Sequence, residues 1–584
     1  MVDVVMSPAE HAAKVSLDRI CACIDQGKSF LLEAGAGAGK TESLIRTLGY
    51  LIKKKGTVLL RQNQQIACIT YTNVAVEEIR NRTDRHPAVD ASTIHAFCWS
   101  LIKDFQPNLR DELPNLNRWP QRLEESGGIG TRSVFYETGY PSIQEDSVSL
   151  HHNDVLALTV KLVKRAKFRI ILTSRYPILL IDEYQDTDKM IAEALKTHFL
   201  DAGEGPLIGF FGDHWQKIYG TGCGQVEHSS LEVINLGANF RSVPVIVNCL
   251  NRMRPELPQQ VKDPNAKGSV VVYHTNYWEG NRLTRQHWKD DLPADVAHRH
   301  LEALRKLLGT KGWDFAPDKT KVLMLTHRVL AKEQGYSNLA QVFPNNDTYI
   351  RKEDPHIAFF VDTLEPVCAA YQEERFGEMF AALGGKTPTI LSPADKASWA
   401  RDMDVLLKLR YSGTIGAILD HLRRTKRPRV PEDVECKERD LEQAEQSQSA
   451  EESSSITRLR TLRNISYQEV IALTRFIDGH TPFSTKHGVK GVEFENVLVV
   501  VGQGWNLYDF NWFLECAGTP DEIPPDRKVA FERNRNLFYV TISRPMKRLA
   551  ILFTQKLSDE AIATLTNWFG DTAIHSLAIN NQAK

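Results

Sequence analysis

A glycine-rich loop near the start of the chain constrains its fold more than any other sequence feature. The apolar run Phe30-Leu31-Leu32-Glu33 predicts a short strand, and a helical pattern begins after Lys40-Thr41. Glycines let the backbone between them curl with its N–H groups pointing inward, and the helix adds the positive end of its dipole. The segment therefore predicts a cradle for phosphate groups. Its residues are Ala34-Gly35-Ala36-Gly37-Ala38-Gly39-Lys40-Thr41.

Two side chains at the end of this loop fit the chemistry of a nucleotide. Lys40 would reach the β- and γ-phosphates, and Thr41 would hold Mg²⁺. The strict pattern begins with glycine, whereas this chain has Ala34. For the loop taken alone, a glycine-rich turn without a ligand is therefore the alternative interpretation.

A second segment further along the chain supports the nucleotide interpretation. The apolar run 177–181 predicts a buried strand, and it ends in Asp182 and Glu183. Asp182 suits Mg²⁺ binding, and Glu183 suits activation of a water molecule. The alternative, an exposed Asp-Glu pair, does not explain why the pair ends a buried strand. Together the two segments predict hydrolysis of ATP or GTP.

Alternating strands and helices predict the fold class. Further apolar runs at 66–70 and 207–211 predict strands, and helical patterns separate them. This alternation predicts an α/β fold in which a parallel sheet carries helices on both faces. A later set of strand-like runs predicts a second α/β domain built from distant pieces of chain. These runs are 268–274, 321–326, 497–501 and 549–553.

Short motifs along the chain resemble those of one protein family. The run Asp182-Glu183-Tyr184-Gln185-Asp186 is similar to a motif of the UvrD/Rep group of superfamily 1 helicases. Segments similar to the other family motifs occur in the family's order, which indicates an ATP-driven motor on nucleic acid. In chain order, the matching segments are 34–41, 70–73, 93–97, 182–187, 212–219, 239–242, 485–494 and 535–544.

The resemblance implies two RecA-like parallel-sheet domains, 1A and 2A, with mainly helical insertions, 1B and 2B. The segment 98–168 shows no strand-like run, and 426–455 has few apolar residues. The latter predicts a flexible linker, and a docking segment for a partner is the alternative. The expected boundaries are 1–97 and 170–243 for the ATP-binding domain 1A, 98–169 for 1B, 244–329 and 480–584 for 2A, and 330–479 for 2B.

The resemblance also implies roles for residues around the nucleotide. Glu183 would activate water, and Gln216 would sense the γ-phosphate. Arg241 and Arg544 would deliver positive charge across the cleft as the γ-phosphate leaves, in the manner of arginine fingers. For either arginine alone, an exposed salt bridge would be the alternative. The residues expected beside the adenine and the ribose are Phe240, Gly491 and Glu493.

A track for single-stranded DNA is expected over both domains. Aromatic stacking accepts any base, and hydroxyl and amide groups donate to phosphates. For Tyr71 and Tyr219, packing in the core is the alternative. The residues that match family contacts to the strand are Thr70, Tyr71, Thr72, Asn73, Thr93, His95, Tyr219 and His487.

The chain departs from the family pattern at several positions. No clear Gln motif precedes the phosphate loop, and Glu42 replaces the usual arginine after Lys-Thr. ATP stays the expected cofactor with Mg²⁺, but selectivity for the base is expected to be weak. After Tyr219 the run 220–223 lacks the family's bulky aromatic residue. We therefore expect a weaker grip on the strand.

Composition and narrower resemblances bear on partners and location. The net charge is −1, so charge gives no support for nucleic-acid binding. The absence of a long apolar run and of CxxC pairs favours a cytoplasmic protein that does not span a membrane. The expected substrates are single-stranded DNA and 3′-tailed duplex DNA.

The chain is also similar to the helicases of Gabija antiphage systems, which act beside an OLD-family nuclease. This similarity rests on a small size and on the lack of a nuclease signature. The alternative function is a regulatory subunit that senses nucleotide and DNA and activates a partner nuclease with little productive unwinding.

Overall fold

Two parallel β-sheets form the framework of the molecule. The computed structural model describes residues 6–137, 141–218, 220–284, 289–325, 331, 334–343, 347–350, 352–384, 390, 392–447, 454–478, 483–484, 493–502 and 508–578. The strands in these ranges are β1 (Phe30–Ala34), β2 (Ile66–Thr70), β3 (Val89–Thr93), β4 (Ser133–Phe135), β5 (Ser142–Ile143), β6 (Ser147–Ser149), β7 (Ile178–Asp182), β8 (Leu207–Gly212), β9 (Glu232–Leu236), β10 (Ala238–Asn239), β11 (Gln260–Val261), β12 (Ser269–His274), β13 (Thr320–Met324), β14 (Phe483–Ser484), β15 (Phe494–Val501), β16 (Pro545–Phe553) and β17 (Ile574–Ser576).

Helices cover both sheets and form most of the two insertions. Within the described ranges, no helix combines the length and apolar character needed to cross a membrane. The α-helices there are α1 (Pro8–Gln26), α2 (Lys40–Arg61), α3 (Asn73–Arg82), α4 (Ile94–Ile102), α5 (Gln106–Glu112), α6 (Pro120–Glu125), α7 (His152–Val163), α8 (Ala166–Arg175), α9 (Lys189–Leu195), α10 (Pro244–Met253), α11 (Ala294–Thr310), α12 (Ser337–Val342), α13 (Asp347–Ile350), α14 (Pro355–Phe359), α15 (Glu365–Gln372), α16 (Phe376–Ala382), α17 (Pro393–Ser412), α18 (Ile415–Thr425), α19 (Glu432–Ser447), α20 (Ser454–Arg463), α21 (Gln468–Ile477), α22 (Phe510–Ala517), α23 (Pro525–Ile542) and α24 (Asp559–Phe569).

The first sheet has the strand order β3-β2-β7-β8-β1-β9, and its pairings are parallel. Strands β1, β2, β7 and β8 are buried along their whole length. Their sequences are nearly continuous apolar runs, as expected where helices cover both faces of a parallel sheet. Leu31 enters the core on one face and Leu32 the core on the other. We call this sheet with its helices the first lobe.

The second sheet has the order β14-β13-β15-β16-β12-β17, again with parallel pairings. Val497 and Val499 of β15 face one apolar core, and Leu498 and Val500 face another. The second of these cores continues into the helices between residues 334 and 477. We call this sheet with its helices the second lobe. The predicted α/β class with two parallel sheets is confirmed, while the domain boundaries stay predictions.

The first insertion contains a small sheet that the sequence pattern did not predict. Strands β4, β6 and β5 pair in that order, within the segment that shows no strand-like run. These strands have only two or three residues each, too few for an alternating pattern to stand out. Trp119 lies in the core beside them, and its indole N–H donates to Asp154 at 3.0 Å.

The prediction of a flexible segment at 426–455 is wrong for most of the residues described there. Helix α19 spans Glu432–Ser447. It packs through Val434 and Leu441, which are buried. The prediction failed because the helix has few apolar residues, and two of them, Val434 and Leu441, are enough to pack it against the core.

A buried charge cluster holds the middle of this helix. Glu438 is 1% exposed and accepts a hydrogen bond from Arg463. On its other side, Nε2 of His356 lies 3.1 Å from the Glu438 carboxylate. Burial opposes protonation of His356, but the Asp354 and Glu438 carboxylates raise its pKa. The helix is therefore ordered by buried ion pairs as well as by apolar packing.

We expect Glu438→Ala to destabilise the helical insertion, because it leaves two cationic partners without their carboxylate. Breaking a buried pair in this way costs about 3–5 kcal/mol. Thermal unfolding and limited proteolysis within residues 432–463 measure the effect. Glu445→Ala, on the same helix with a side chain 54% exposed, is the matched control. Equal melting temperatures for the two variants would contradict the role of the cluster.

Candidate active site

The predicted phosphate loop, residues 34–41, connects β1 to α2 at the edge of the first sheet where the strands have their carboxyl ends. The backbone φ angles are 72° at Gly37 and 83° at Gly39, a region that glycine enters without steric cost. A Cβ at Gly37 would also lie 2.8 Å from the Cβ of Arg241. Glycine at this position is therefore required both by the backbone conformation and by the approach of the segment that leads into the second lobe.

The segment 239–241 closes over the loop. The backbone N–H of Phe240 donates to the Gly37 carbonyl at 2.8 Å. The Asn239 amide donates to the Ala36 carbonyl at 3.1 Å. The Phe240 ring lies against Gly39, where a Cβ would be 3.4 Å from it, and the side chain is 37% exposed. An aromatic face thus borders the phosphate loop, which is compatible with the predicted contact to adenine.

Lys40 and Glu183 form an ion pair inside the site. Nζ of Lys40 lies 2.9 Å from Oε2 of Glu183. Burial alone would lower the pKa of Lys40, but the carboxylates of Glu183 and Asp213 raise it, so the ammonium stays charged. Glu183 has a φ of 48°, a strained value for a residue with a side chain. Such strain is typical of groups that are held in place for chemistry.

Two oxygen-bearing side chains meet the requirements of a magnesium site. Thr41 follows Lys40 in the first turn of α2, and Asp182 is the last residue of β7. Asp182 is 7% exposed, and a buried carboxylate favours a cation beside it. Hydroxyl and carboxylate oxygens are the ligands that Mg²⁺ prefers. The residues present therefore fit the ion.

Gln216 and Arg544 join the two lobes. The Gln216 amide donates to Asp213 at 2.8 Å, and its oxygen accepts a hydrogen bond from Arg544 at 3.2 Å. Arg544 is 1% exposed. Burial, with the neighbouring charge of Arg241, lowers the pKa of Arg544 to about 9. The guanidinium is thus held where added negative charge would stabilise it.

Arg241 also lies at the junction of the lobes. Its Nε donates to Glu493 at 2.9 Å, and another guanidinium nitrogen donates to the Ser543 carbonyl at 3.0 Å. Glu493, predicted to lie near the ribose, binds the predicted finger arginine in this structure. Gly491 lies outside the described residues.

The predicted DNA contacts lie at the carboxyl ends of β2 and β3. Tyr71 is 46% exposed, so nearly half of its surface faces solvent. Thr72 and Thr93 cap helices α3 and α4, accepting from the backbone N–H groups of Ala75 and Ala96. Thr70 is only 3% exposed, which argues against a direct phosphate contact by its side chain.

Other predicted contacts differ in their surroundings. Asn73 is exposed at the start of α3. His95 packs edge-on against His152 of the first insertion, with ring centroids 5.5 Å apart. Tyr219 and His487 lie outside the described residues.

Several residues at the cleft were not predicted from the sequence. Tyr539 accepts a hydrogen bond from the Ala36 N–H at 3.2 Å, and Asn536 donates to two carbonyls that follow strand β8. Both lie in the segment 535–544, so the motif itself was a signal. Arg254 lies in no motif. The sequence hints at it only through Glu33, a carboxylate in a predicted buried strand, because such a carboxylate needs a cationic partner.

Comparison with known proteins places these features in context. A family model described as an AAA domain matches residues 20–222. The Gabija protein GajB of Bacillus cereus is 25% identical over 93% of this chain and 96% of GajB. The ATP-dependent DNA helicase PcrA of Staphylococcus aureus is 23% identical over 42% of this chain and 41% of PcrA. The PcrA match thus covers less than half of either protein, whereas the GajB match covers nearly all of both.

We expect Lys40→Ala to reduce ATP hydrolysis by about 10²–10³-fold, the loss that follows removal of one strong electrostatic contact. The reason is that Lys40 supplies the charge at the phosphate loop. Turnover of ATP with saturating single-stranded DNA measures the effect. Lys54→Ala, on the same helix with a side chain 45% exposed, is the control. Turnover of both variants within twofold of each other would show that the loop binds no phosphate.

We expect Arg544→Ala to lower turnover by about 10³-fold while nucleotide affinity changes little. An arginine finger acts mainly on charge that develops in the transition state. Single-turnover hydrolysis and equilibrium binding of an ATP analogue separate the two quantities. Lys547→Ala, with a side chain 56% exposed, is the matched control. A loss of affinity equal to the loss of turnover would make Arg544 a ground-state contact.

Proposed function

Because the chain is a UvrD/Rep-like, ATP-dependent helicase, we propose that it moves along single-stranded DNA in the 3′ to 5′ direction and separates strands ahead of it. The observation that carries the proposal is the 3.2 Å hydrogen bond from Arg544 of the second lobe to Gln216 of the first. The charge of Arg544 also acts on Glu183, the partner of Lys40. A γ-phosphate among these groups would be sensed by both lobes, and its loss would change their contact.

Hydrolysis would begin with an exchange of partners at Lys40. Phosphates entering the loop compete with Glu183 for the ammonium, since they carry more negative charge. Release from Lys40 leaves the Glu183 carboxylate able to accept a proton from the attacking water. Mg²⁺ bound by Thr41 and Asp182 would supply neutralisation of the phosphate charge. Arg241 and Arg544 would stabilise the charge on the transferring phosphoryl group.

The DNA track would use the exposed carboxyl ends of β2 and β3. Tyr71 offers a stacking face, and Asn73 offers an amide donor beside it. Thr72 and Thr93 start helices α3 and α4, whose N-termini favour a phosphate. Base stacking and phosphate contacts accept any base, so the proposed movement is independent of sequence.

The similarity to GajB supports a defence role. We propose that the chain acts in a Gabija-type antiphage system in the cytoplasm, with a nuclease of the OLD family as its partner. The GajB match extends over 93% of this chain, so it covers the insertions as well as the nucleotide cleft.

One observation favours the alternative function, a regulatory subunit that activates the nuclease with little unwinding. The chain after the segment 212–219 folds back onto the first lobe, where the Cys223 N–H donates to the Thr187 carbonyl at 2.7 Å. Gly222 lies so close to Gln185 that a Cβ would be 2.3 Å from its carbonyl oxygen. Gly222 therefore has no room for a side chain, whereas a Cβ at Gly220 would meet no atom within 4 Å. The weaker grip on the strand would follow from the missing aromatic residue after Tyr219.

We expect Tyr71→Ala to weaken binding of single-stranded DNA and to reduce DNA-stimulated ATP hydrolysis, while the DNA-free rate stays unchanged. A base stack is worth about 1–3 kcal/mol, or roughly a five- to 150-fold change in Kd. Tyr277→Ala, which removes a tyrosine that is 76% exposed outside the motifs, is the control. An equal fall in the DNA-free and stimulated rates would show that Tyr71 serves the fold.

Strand displacement by the wild-type protein distinguishes the helicase from the regulatory subunit. We expect wild-type protein to displace a strand from a 3′-tailed duplex in an ATP-dependent manner, and not from a 5′-tailed one. Displacement from the 5′-tailed duplex alone would overturn the proposed polarity. DNA-stimulated hydrolysis without displacement, together with activation of the partner nuclease, would favour the regulatory function.

A further inference from the structure

Arg254 reaches from the second lobe into the base of the first. It follows helix α10, whose Ile246 and Leu250 belong to a core of the second sheet. The side chain is 2% exposed and extends to Glu33 of β1 and to Asp213 after β8. No helicase motif includes Arg254.

The guanidinium bridges two buried carboxylates. One terminal nitrogen donates to Asp213 and the other to Glu33, each at 2.7 Å. Asp213 is 0% and Glu33 7% exposed. The burial of Glu33 opposes its ionisation, but His214 and Arg254 lower its pKa to about 2. The Glu33 carboxylate therefore stays ionised beside the Arg254 guanidinium.

Aromatic rings from both lobes enclose the bridge. The Arg254 Cζ atom lies 5.0 Å from the ring centroid of Trp215 in the first lobe and 5.9 Å from that of Tyr539 in the second. The two rings pack edge-on, 5.2 Å apart. The planar guanidinium thus has a fixed orientation, which a flexible ammonium group would not keep.

Hydrogen bonds connect the bridge to Gln216 and Arg544, the residues predicted to act at the γ-phosphate. Asp213 accepts a hydrogen bond from Gln216 at 2.8 Å and caps the turn 214–216 through the Trp215 N–H at 3.0 Å. Gln216 in turn accepts from Arg544. One chain of hydrogen bonds therefore runs from Arg254 through Asp213 and Gln216 to Arg544.

We propose that Arg254 is a positioning residue for ATP hydrolysis, which fixes Asp213 and thereby sets Gln216 and Arg544 for the γ-phosphate. The inference rests on the proposed function and extends it to a residue outside the motifs. Arg254 touches no nucleotide, since its hydrogen bonds go to Glu33, Asp213 and Glu256. Its contribution is to orient the sensor when the two lobes meet.

The test is Arg254→Lys, which keeps the charge but cannot hold two carboxylates in one plane. We expect kcat for DNA-stimulated ATP hydrolysis to fall by about 10²-fold, the usual result of misplacing a reacting group by ~1 Å. The KM for ATP should change less than threefold, because the phosphate loop is intact. Arg252→Lys, exposed in the last turn of helix α10 just before Arg254, is the matched control.

A second variant changes the other side of the bridge, so that a folding defect in Arg254→Lys can be told apart from a loss of positioning. Glu33→Gln keeps the shape and the hydrogen-bond acceptor but removes one charge of the bridge. We expect a soluble protein with a kcat lowered several-fold and an unchanged KM. The active fraction is counted by titration with an ATP analogue, so that turnover refers to folded molecules only.

Two results would overturn the inference. One is a kcat per folded molecule equal to that of wild type for both variants, which would make the bridge purely structural. The other is a rise in KM that accounts for the whole loss of activity. A wild-type protein whose hydrolysis is not stimulated by DNA would instead overturn the proposed function, so the two failures are distinguishable.

Discussion

The hydrogen bond between Arg544 and Gln216 is the contact on which the nucleotide cleft depends. Both partners are buried, and they belong to different lobes. Burial lowers the pKa of Arg544 to about 9, because the surrounding groups compensate its charge incompletely. A guanidinium in such a place is stabilised by an anion, and a nucleotide in the proposed phosphate loop would supply that anion. The electrostatics of the closed cleft therefore favour a bound nucleotide, and hydrolysis removes part of that stabilisation.

The same logic applies to Lys40. Its ammonium is paired with Glu183 here, and the strained backbone of Glu183 keeps the carboxylate within reach. A nucleotide would take over the ammonium and leave the carboxylate for the water. The proposed order of events then follows from charge: Glu183 would become available as a base only after a phosphate has replaced it at Lys40.

The parts of the fold that could be predicted are those whose pattern lies within a short stretch of sequence. Strands β1, β2, β7 and β8 are continuous apolar runs because both sheet faces are covered, and motifs follow at their carboxyl ends. The segment 34–41 and the pair Asp182 and Glu183 could be placed at strand ends for this reason, and their roles stay predictions. Helix α19 was missed because its order depends on Glu438 pairing with Arg463 and His356, which are 25 and 82 residues away. Arg254 was missed for the same reason, since 221 residues separate it from Glu33.

The Arg254 bridge makes charged side chains part of the contact between the two lobes. Buried ion pairs are seldom the most stable way to fill space, and apolar side chains of similar volume often hold more tightly. Apolar packing between the lobes would be favourable at many angles between them, because the hydrophobic effect is not directional. The free-energy cost of opening would rise with the apolar area exposed to water. A guanidinium between two carboxylates is favourable in one geometry only, and water compensates all three groups once the cleft opens. The charged seam thus gives up some stability for closure that is both reversible and specific in orientation. The proposed motor, which would bind, hydrolyse and release nucleotide in each cycle, would require both properties at this position.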